Sequence, residues 1–260
     1  MLRNLRELYQ YRALLWSLVV RELRARYRAS VLGFLWTFLN PTLNMAVYAV
    51  VFGYLLKQGQ PAYPYFLFIG LLPWIYFTTS IGSGASSVSD RRDLLTKVRF
   101  PPQVLPATVV ATNLANYLLS LPLLVGLGLF YGQWPTWHVL LFFPLVLVQT
   151  IFILGLTYLV SAFNVALRDL QHIVTNIVQM LFFITPIVWP ISQVKDLRYQ
   201  QLLLYGNPMA ALINAYRSIF YDHVLPDPLP LLVVVGFSLA MLWLSSGVFE
   251  RRREEFAELV

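Results

Sequence analysis

Few residues of this 260-residue chain are placed to do covalent chemistry. The densest run of hydroxyls is Ser80-Ile81-Gly82-Ser83-Gly84-Ala85-Ser86. A serine nucleophile within a membrane helix needs a histidine beside it. The three histidines, His138, His172 and His223, are scattered along the chain. Small residues in a run of this kind more commonly mark close helix packing. There is no cysteine, which excludes disulfides and thiolate metal sites. No HExxH pair occurs, and no GxxxxGK(S/T) loop offers a phosphate cradle, so ATP binding by that route is absent. The chemistry that remains is cationic. Seven arginines precede residue 29, and Arg91, Arg92, Lys97 and Arg99 form a second cluster. Guanidinium groups pair with carboxylate and phosphate oxygens.

The elements that carry these residues are apolar. The chain is 58% hydrophobic and only 12% charged, against about 25% charged in soluble domains. A net charge of +7 suggests nucleic acid in a soluble domain. In a membrane protein the same charge reports which loops face the anionic lipid of the cytoplasmic leaflet, and no nucleic-acid partner is expected. Six apolar segments are predicted to span: Val31–Leu56, Tyr65–Val88, Val104–Tyr131, Trp137–Leu167, Leu170–Trp189 and Leu229–Phe249. They hold almost no Asp, Glu or His, the groups on which proton- and sodium-driven carriers rely at mid-membrane.

Charge sets the orientation. Fifteen of the 19 Lys and Arg residues fall on one side, leaving Lys57, Lys195, Arg198 and Arg217 on the other. Both termini and the Asp90–Pro102 loop are therefore expected in the cytoplasm, which requires an even number of spans. Residues 1–30 predict a helix lying in the headgroup plane. Leu2, Leu5, Leu8, Tyr9, Leu15, Trp16, Val19, Val20, Leu23 and Tyr27 fall in one arc, and Arg3, Arg6, Arg21, Arg24 and Arg28 lie opposite. Tyr11, Leu14 and Leu18 interrupt the polar face, so part of it is expected to pack on protein. Residues 31–260 form one membrane domain.

Between the last two spans, Pro190–Pro228 stays rich in Leu, Ile, Tyr and Phe. Asn207 followed by Pro208 is a helix-start signal. It divides the stretch into two short helices, about Gln193–Leu204 and Pro208–Tyr221, expected as a re-entrant hairpin on the outer side. Aromatics make up 15% of the chain and many sit at segment ends, as interface belts do. Tyr48, Phe52, Trp74 and Tyr117 are candidates to line an internal path, since aromatic faces stack on sugars without demanding one hydrogen-bond pattern.

This pattern resembles the permeases of polysaccharide-exporting type II ABC transporters. The resemblance is carried by "RELRARYRASVLGFLWTFLNP" (Arg21–Pro41), "GLLPWIYF" (Gly70–Phe77), "LLTKVRFPPQVLP" (Leu94–Pro106), "FNVALRDL" (Phe163–Leu170), "TPIVWP" (Thr185–Pro190) and "YGNPMAALINAYRS" (Tyr205–Ser218). They occur in that family's order and cover nearly the whole chain.

The resemblance implies an all-α, six-span membrane subunit of an exporter for O-antigen, related lipid-linked polysaccharides or teichoic acids. It implies two copies forming a conduit in the bacterial inner membrane, and two cytoplasmic ABC ATPase subunits that carry ATP and Mg, with no cofactor in this chain. Asp90, Arg91, Arg92, Asp93, Leu94, Lys97, Arg99 and Phe100 belong to the loop that would couple to the ATPase. Arg21, Arg24, Arg26 and Arg28 belong to the interface helix, where Arg26 and Arg28 are expected to meet the diphosphate of a polyprenyl-linked glycan. Pro190, Asn207, Pro208, Tyr216 and Arg217 belong to the outer gate. Two other readings fit less well: a permease for a small lipid or drug, and a polytopic membrane enzyme acting alone.

Overall fold

The computed structural model describes residues 2–27, 32–57, 59–91, 100–167 and 169–252. Among them every regular element is helical and there is no strand. Five helical stretches are long and apolar enough to cross a bilayer. The first is α3 (Trp36–Tyr48), entered by a short 3₁₀ turn and extended by a π-helical stretch, Ala49–Leu55. The others are α4 (Tyr63–Ala85), α5 (Val104–Phe130), α6 (Phe142–Asn164) and α10 (Pro228–Arg251). The fifth predicted span, Leu170–Trp189, is helical only over α7 (Leu170–Ile184). Its 15 residues rise about 22 Å, short of the ~30 Å hydrocarbon core.

Helix α4 is the axis of the molecule. It is apolar on all sides, as a helix surrounded by others must be. Phe66, Leu67, Phe68, Ile69, Leu71, Leu72, Trp74, Tyr76, Phe77 and Ile81 are all buried in one hydrophobic core. Helices α3, α5, α6 and α7 pack around it. Small residues let the helices close. A Cβ at Gly84 would stand 2.2 Å from Thr157 Cγ2, and one at Gly155 would stand 2.9 Å from the backbone N of Leu242. The hydroxyl-rich run around Ser80 is thus a packing surface: Ser80 and Gly84 are buried.

The N-terminal segment forms two consecutive helices, α1 (Leu2–Gln10) and α2 (Arg12–Tyr27), rather than one. Tyr11 between them keeps helical bonding, donating to Glu7 O and accepting from Leu15 N, each at 2.9 Å. Leu8, Tyr11, Leu14, Leu15 and Leu18 pack against Phe100, Val104 and Leu105 at the start of α5. The residues expected to interrupt the polar face are therefore the ones that dock on protein. Leu8, Leu15 and Val19, expected toward lipid, join them or are buried, because the stripe spaced 8, 11, 15, 18 faces α5. Tyr9 and Trp16, 69% and 68% exposed, remain outward.

After α7 and the turn that follows it come α8 (Leu197–Gly206) and α9 (Pro208–Phe220). The second begins where the Asn-Pro signal predicts, and Asn207 Oδ1 accepts from the amides of Met209 (3.1 Å) and Ala210 (3.3 Å). The first begins four residues later than expected because Asp196 caps it, accepting from Arg198 N at 2.8 Å.

Gly155 and Gly236 separate packing from propensity. Gly155→Ala is expected to lower the melting temperature of the detergent-solubilised chain, since its methyl meets backbone that cannot yield, an overpacking cost of about 1–3 kcal/mol. Gly236→Ala, with open space around its Cβ, is expected to be neutral or stabilising by up to ~1 kcal/mol. Equal melting temperatures for the two variants would contradict the close α6–α10 approach.

Candidate functional site

Helix α3 lies loosely on the rest of the molecule. Only Thr37 and Pro41 of it are buried, and a cavity of about 560 Å³ opens on each flank. The first cavity lies against α4 and α5 and is rich in neutral polar groups: Thr37, Asn40, Asn44, Thr79, Asn113, Asn116 and Ser120, with Arg26 at its rim. The second lies against α4 and α7 and is lined by Tyr48, Trp74, Thr78, Gln179 and Phe182, among others. Asn44, Ile75 and Thr79 line both. Pro41 explains part of the seam. It has no N–H for the carbonyl of Thr37, and Ser120 Oγ on α5 reaches that oxygen at 3.4 Å.

The end of the bundle at α8 and α9 is held by one cation. Arg217 on α9 is only 3% exposed. Its guanidinium donates to the carbonyls of Pro186 (2.6 Å), Ile187 (2.5 Å) and Trp189 (3.3 Å), and lies 3.7 Å over the Phe66 ring. Those carbonyls belong to the non-helical turn after α7, where orphan oxygens need donors. Gly70 makes room: a Cβ there would stand 3.1 Å from Arg217 Nη2. Around this anchor, Tyr63 OH donates to Val188 O (2.8 Å), Tyr65 OH to Phe220 O (3.0 Å), and Asn207 Nδ2 to Thr185 Oγ1 (2.9 Å). Tyr216 OH donates to Gln149 Oε1 (2.8 Å), while Gln149 Nε2 donates to Pro73 O (2.8 Å). One polar chain thus joins α9, α6 and α4. Burial pushes the carboxyl of Asp222 above its ordinary range, while Arg217 and His223 pull it down.

At the opposite end, α1 and α2 are tied to the bundle by polar contacts. Arg91 pairs with Glu22, Gln103 donates to Glu7, and Asn4 Nδ2 donates to Ser246 O at 3.3 Å. Arg26 Nη1 donates to Asn113 Oδ1 at 3.3 Å.

The expected site residues fall into these three places. Asp90 and Arg91 end the turn after α4, and Phe100 packs under α2. Arg92, Asp93, Leu94, Lys97 and Arg99 of the coupling loop, and Arg28, lie outside the described residues. Arg21 and Arg24 are exposed on α2. Pro190, Asn207, Pro208 and Tyr216 converge on Arg217, which is buried in protein rather than exposed. Tyr48 stacks on Phe182 (5.1 Å) beside the second cavity, which Trp74 also lines, and Phe52 packs near Tyr48. Tyr117 is buried, stacked on Tyr76 at 5.5 Å, and meets the first cavity. Gln149 and the amides at 40, 44, 113 and 116 are absent from the residues singled out in the sequence. Their signal was there: amides three or four residues apart on apolar helices share one face.

Comparison with known proteins places these features in a group. The family model described as "ABC-2 type transporter" matches residues 13–221. The chain is 58% identical over 260 residues, all of both chains, to the O-antigen export system permease protein of Myxococcus xanthus. It is 28% identical over 242 residues, 92% of each chain, to the protein of that name from Klebsiella pneumoniae. It is also 22% identical over 246 residues, 92% of this chain and 93% of the other, to the polysialic acid transport protein of Escherichia coli.

Arg217→Met leaves three buried carbonyls without their donor and is expected to destabilise the chain by on the order of 3 kcal/mol. Arg217→Lys keeps the charge but not the planar fork, so an intermediate loss is expected. Thermal unfolding in detergent checks both. A melting temperature unchanged in Arg217→Met would show that the anchor contributes nothing.

Proposed function

Starting from a chain that belongs to the ABC-2 type transporter family, we propose that it is the membrane permease subunit of an ATP-driven exporter of polyprenyl-diphosphate-linked polysaccharide, of the O-antigen type. The observation that carries this reading is full-length identity of 58% to an O-antigen export permease. The chain supplies the path. ATP and Mg act on a separate cytoplasmic ATPase, present in two copies beside two copies of this chain in the inner membrane.

Six crossings are the topology that fits an even count with both termini cytoplasmic. The fifth crossing consists of α7 completed by the non-helical turn 185–190. Irregular backbone at that depth is tolerable when buried and hydrogen-bonded, and Arg217 supplies the donors. Helices α8 and α9 then form the outer gate, with Pro190, Asn207, Pro208 and Tyr216 fixing its hinges. The conduit runs along α3 and α7, past Tyr48, Phe52 and Trp74, where stacking on sugar faces lets a polymer slide; Tyr117 lines the cavity on the other flank of α3 and stands outside that path. The exposed arginines of α2, Arg21 and Arg24, with Arg28 later in the sequence, give the carrier's phosphate its approach.

ATPase closure pushes on the loop 90–102, whose cations Arg91, Arg92, Lys97 and Arg99 form the docking face with Asp90, Asp93, Leu94 and Phe100. The pair Arg91–Glu22 passes that push to α2, and the packing of α2 on Phe100, Val104 and Leu105 passes it to α5.

Two measurements test this reading. Purification of the tagged chain in gentle detergent is expected to yield two copies with two ATPase subunits; a solitary chain that still functions would overturn it. Glu22→Arg and Arg91→Glu are each expected to lower surface polysaccharide severalfold, with the double reversal restoring most of it, because the attraction is regained with the signs exchanged. Failure of the double variant to recover would remove the pair from the coupling route.

A further inference from the structure

The polar cavity beside α3 does not end at Ser120. A second space of about 290 Å³ follows it along the same helices, lined by Met45, Phe68, Leu123, Gly126, Leu127 and Phe130. The two are successive sections of one seam. On α3 the stripe is Thr37, Pro41, Met45, and on α4 it is Thr79, Tyr76, Leu72, Phe68. On α5 it runs Asn113, Asn116, Ser120, Leu123, Leu127, Phe130. Each set repeats every three or four residues, so each is one face of its helix. The seam changes character along its length, from a cation through amides and hydroxyls to hydrocarbon.

We infer that this seam is a binding site for an anionic glycerophospholipid of the bilayer, distinct from the exported glycan's carrier. Its phosphate lies against Arg26 and Asn113, its glycerol esters lie along the amide and hydroxyl section, and one acyl chain lies along the apolar section.

Three observations carry this. The first is an orphan donor. Asn113 is 2% exposed; its Oδ1 accepts from Arg26, but its buried Nδ2 has no partner. A buried donor without an acceptor is costly, and a phosphate or ester oxygen would satisfy it. The second is charge: Arg26 stands on the rim, so an anionic head is favoured. The third is the length of each section. Asn113 to Ser120 is about 10 Å of helix rise, the zone of phosphate, glycerol and ester carbonyls. Ser120 to Phe130 is about 15 Å, half the ~30 Å hydrocarbon core. A polyprenyl diphosphate turns to hydrocarbon directly beyond its phosphates and would lay alkene on the amides, stripping them of hydrogen bonds. Ester carbonyls accept from them instead.

Gly126 offers a clean way to close the apolar section. Nothing lies within 4 Å of a Cβ built there, so Gly126→Phe enters the slot without a clash at its root. The inference rests on the reading that α2 lies at the phosphate level of the cytoplasmic leaflet. The test uses the complete transporter in nanodiscs with phosphatidylglycerol bearing a photoactivatable group at its acyl terminus, the adducts being mapped by peptide mass spectrometry. Labelling is expected near Leu123–Phe130. Asn113→Leu and Arg26→Gln should each reduce it about tenfold, the loss of one charge-assisted contact, and Gly126→Phe should abolish it. Excess polyprenyl diphosphate should not compete. Equal labelling in all variants would mean only general lipid contact and would overturn the site. Competition by polyprenyl diphosphate would assign the seam to the carrier instead. Because labelling needs neither hydrolysis nor export, its absence from the unmutated chain in complexes that keep their ATPase would overturn the lipid site alone.

Discussion

A carbonyl oxygen away from water must find a donor, and the half of this molecule around α9 is arranged about one place where that demand concentrates. Helix α7 stops at Ile184, and the chain turns through Thr185–Pro190 while still buried. Arg217 answers with three hydrogen bonds and rests on Phe66. The desolvation cost of a buried guanidinium is large. It is offset here by carbonyl dipoles and an aromatic face in direct contact, with the Asp222 carboxylate acting from farther away. Because the three acceptors come from one strand of chain, the bond set fixes a position as well as a charge.

That anchor gives physical meaning to stretches that are otherwise only patterns of letters. In "GLLPWIYF", Gly70 leaves room for the guanidinium and Pro73 presents the carbonyl that Gln149 binds. In "TPIVWP", the backbone oxygens of Pro186, Ile187 and Trp189 are the acceptors. In "YGNPMAALINAYRS", Asn207 starts the helix that delivers Tyr216 and Arg217 to their partners. Three segments far apart in the chain therefore depend on one another. Loss of Arg217 strands carbonyls in the second, and bulk at Gly70 in the first displaces the guanidinium.

The two ends of the permease differ in how they are held. The end at α9 is fixed by buried hydrogen bonds and stacked rings, which permit few alternative arrangements. The end at α1 and α2 is fixed by a docked apolar stripe on α2 and by part-exposed polar pairs such as Arg91–Glu22. Contacts of that kind can slide or exchange at small cost. Between them α3 is loosely seated, with a cavity on either flank.

Some of this is legible in the sequence because it depends on local composition. Long uncharged runs specify spans, clustered arginines specify a side, and Asn207-Pro208 specifies a helix start, each through solvation or backbone geometry acting over a few residues. The resemblance to exporter permeases was legible too, because those local devices recur in one order. The tertiary structure decided what local rules cannot. Arg217 counts in the sequence as one more outer charge; only the fold brings carbonyls from Thr185–Pro190 around it. Leu8 and Leu15 carry the same apolar signal as Trp16, yet the first two pack on α5 and the third faces outward, because docking geometry rather than periodicity chooses among apolar stripes. The amides at 40, 44, 113 and 116 lie too far apart in sequence for any window to unite them. They become one polar seam only when α3 and α5 lie side by side.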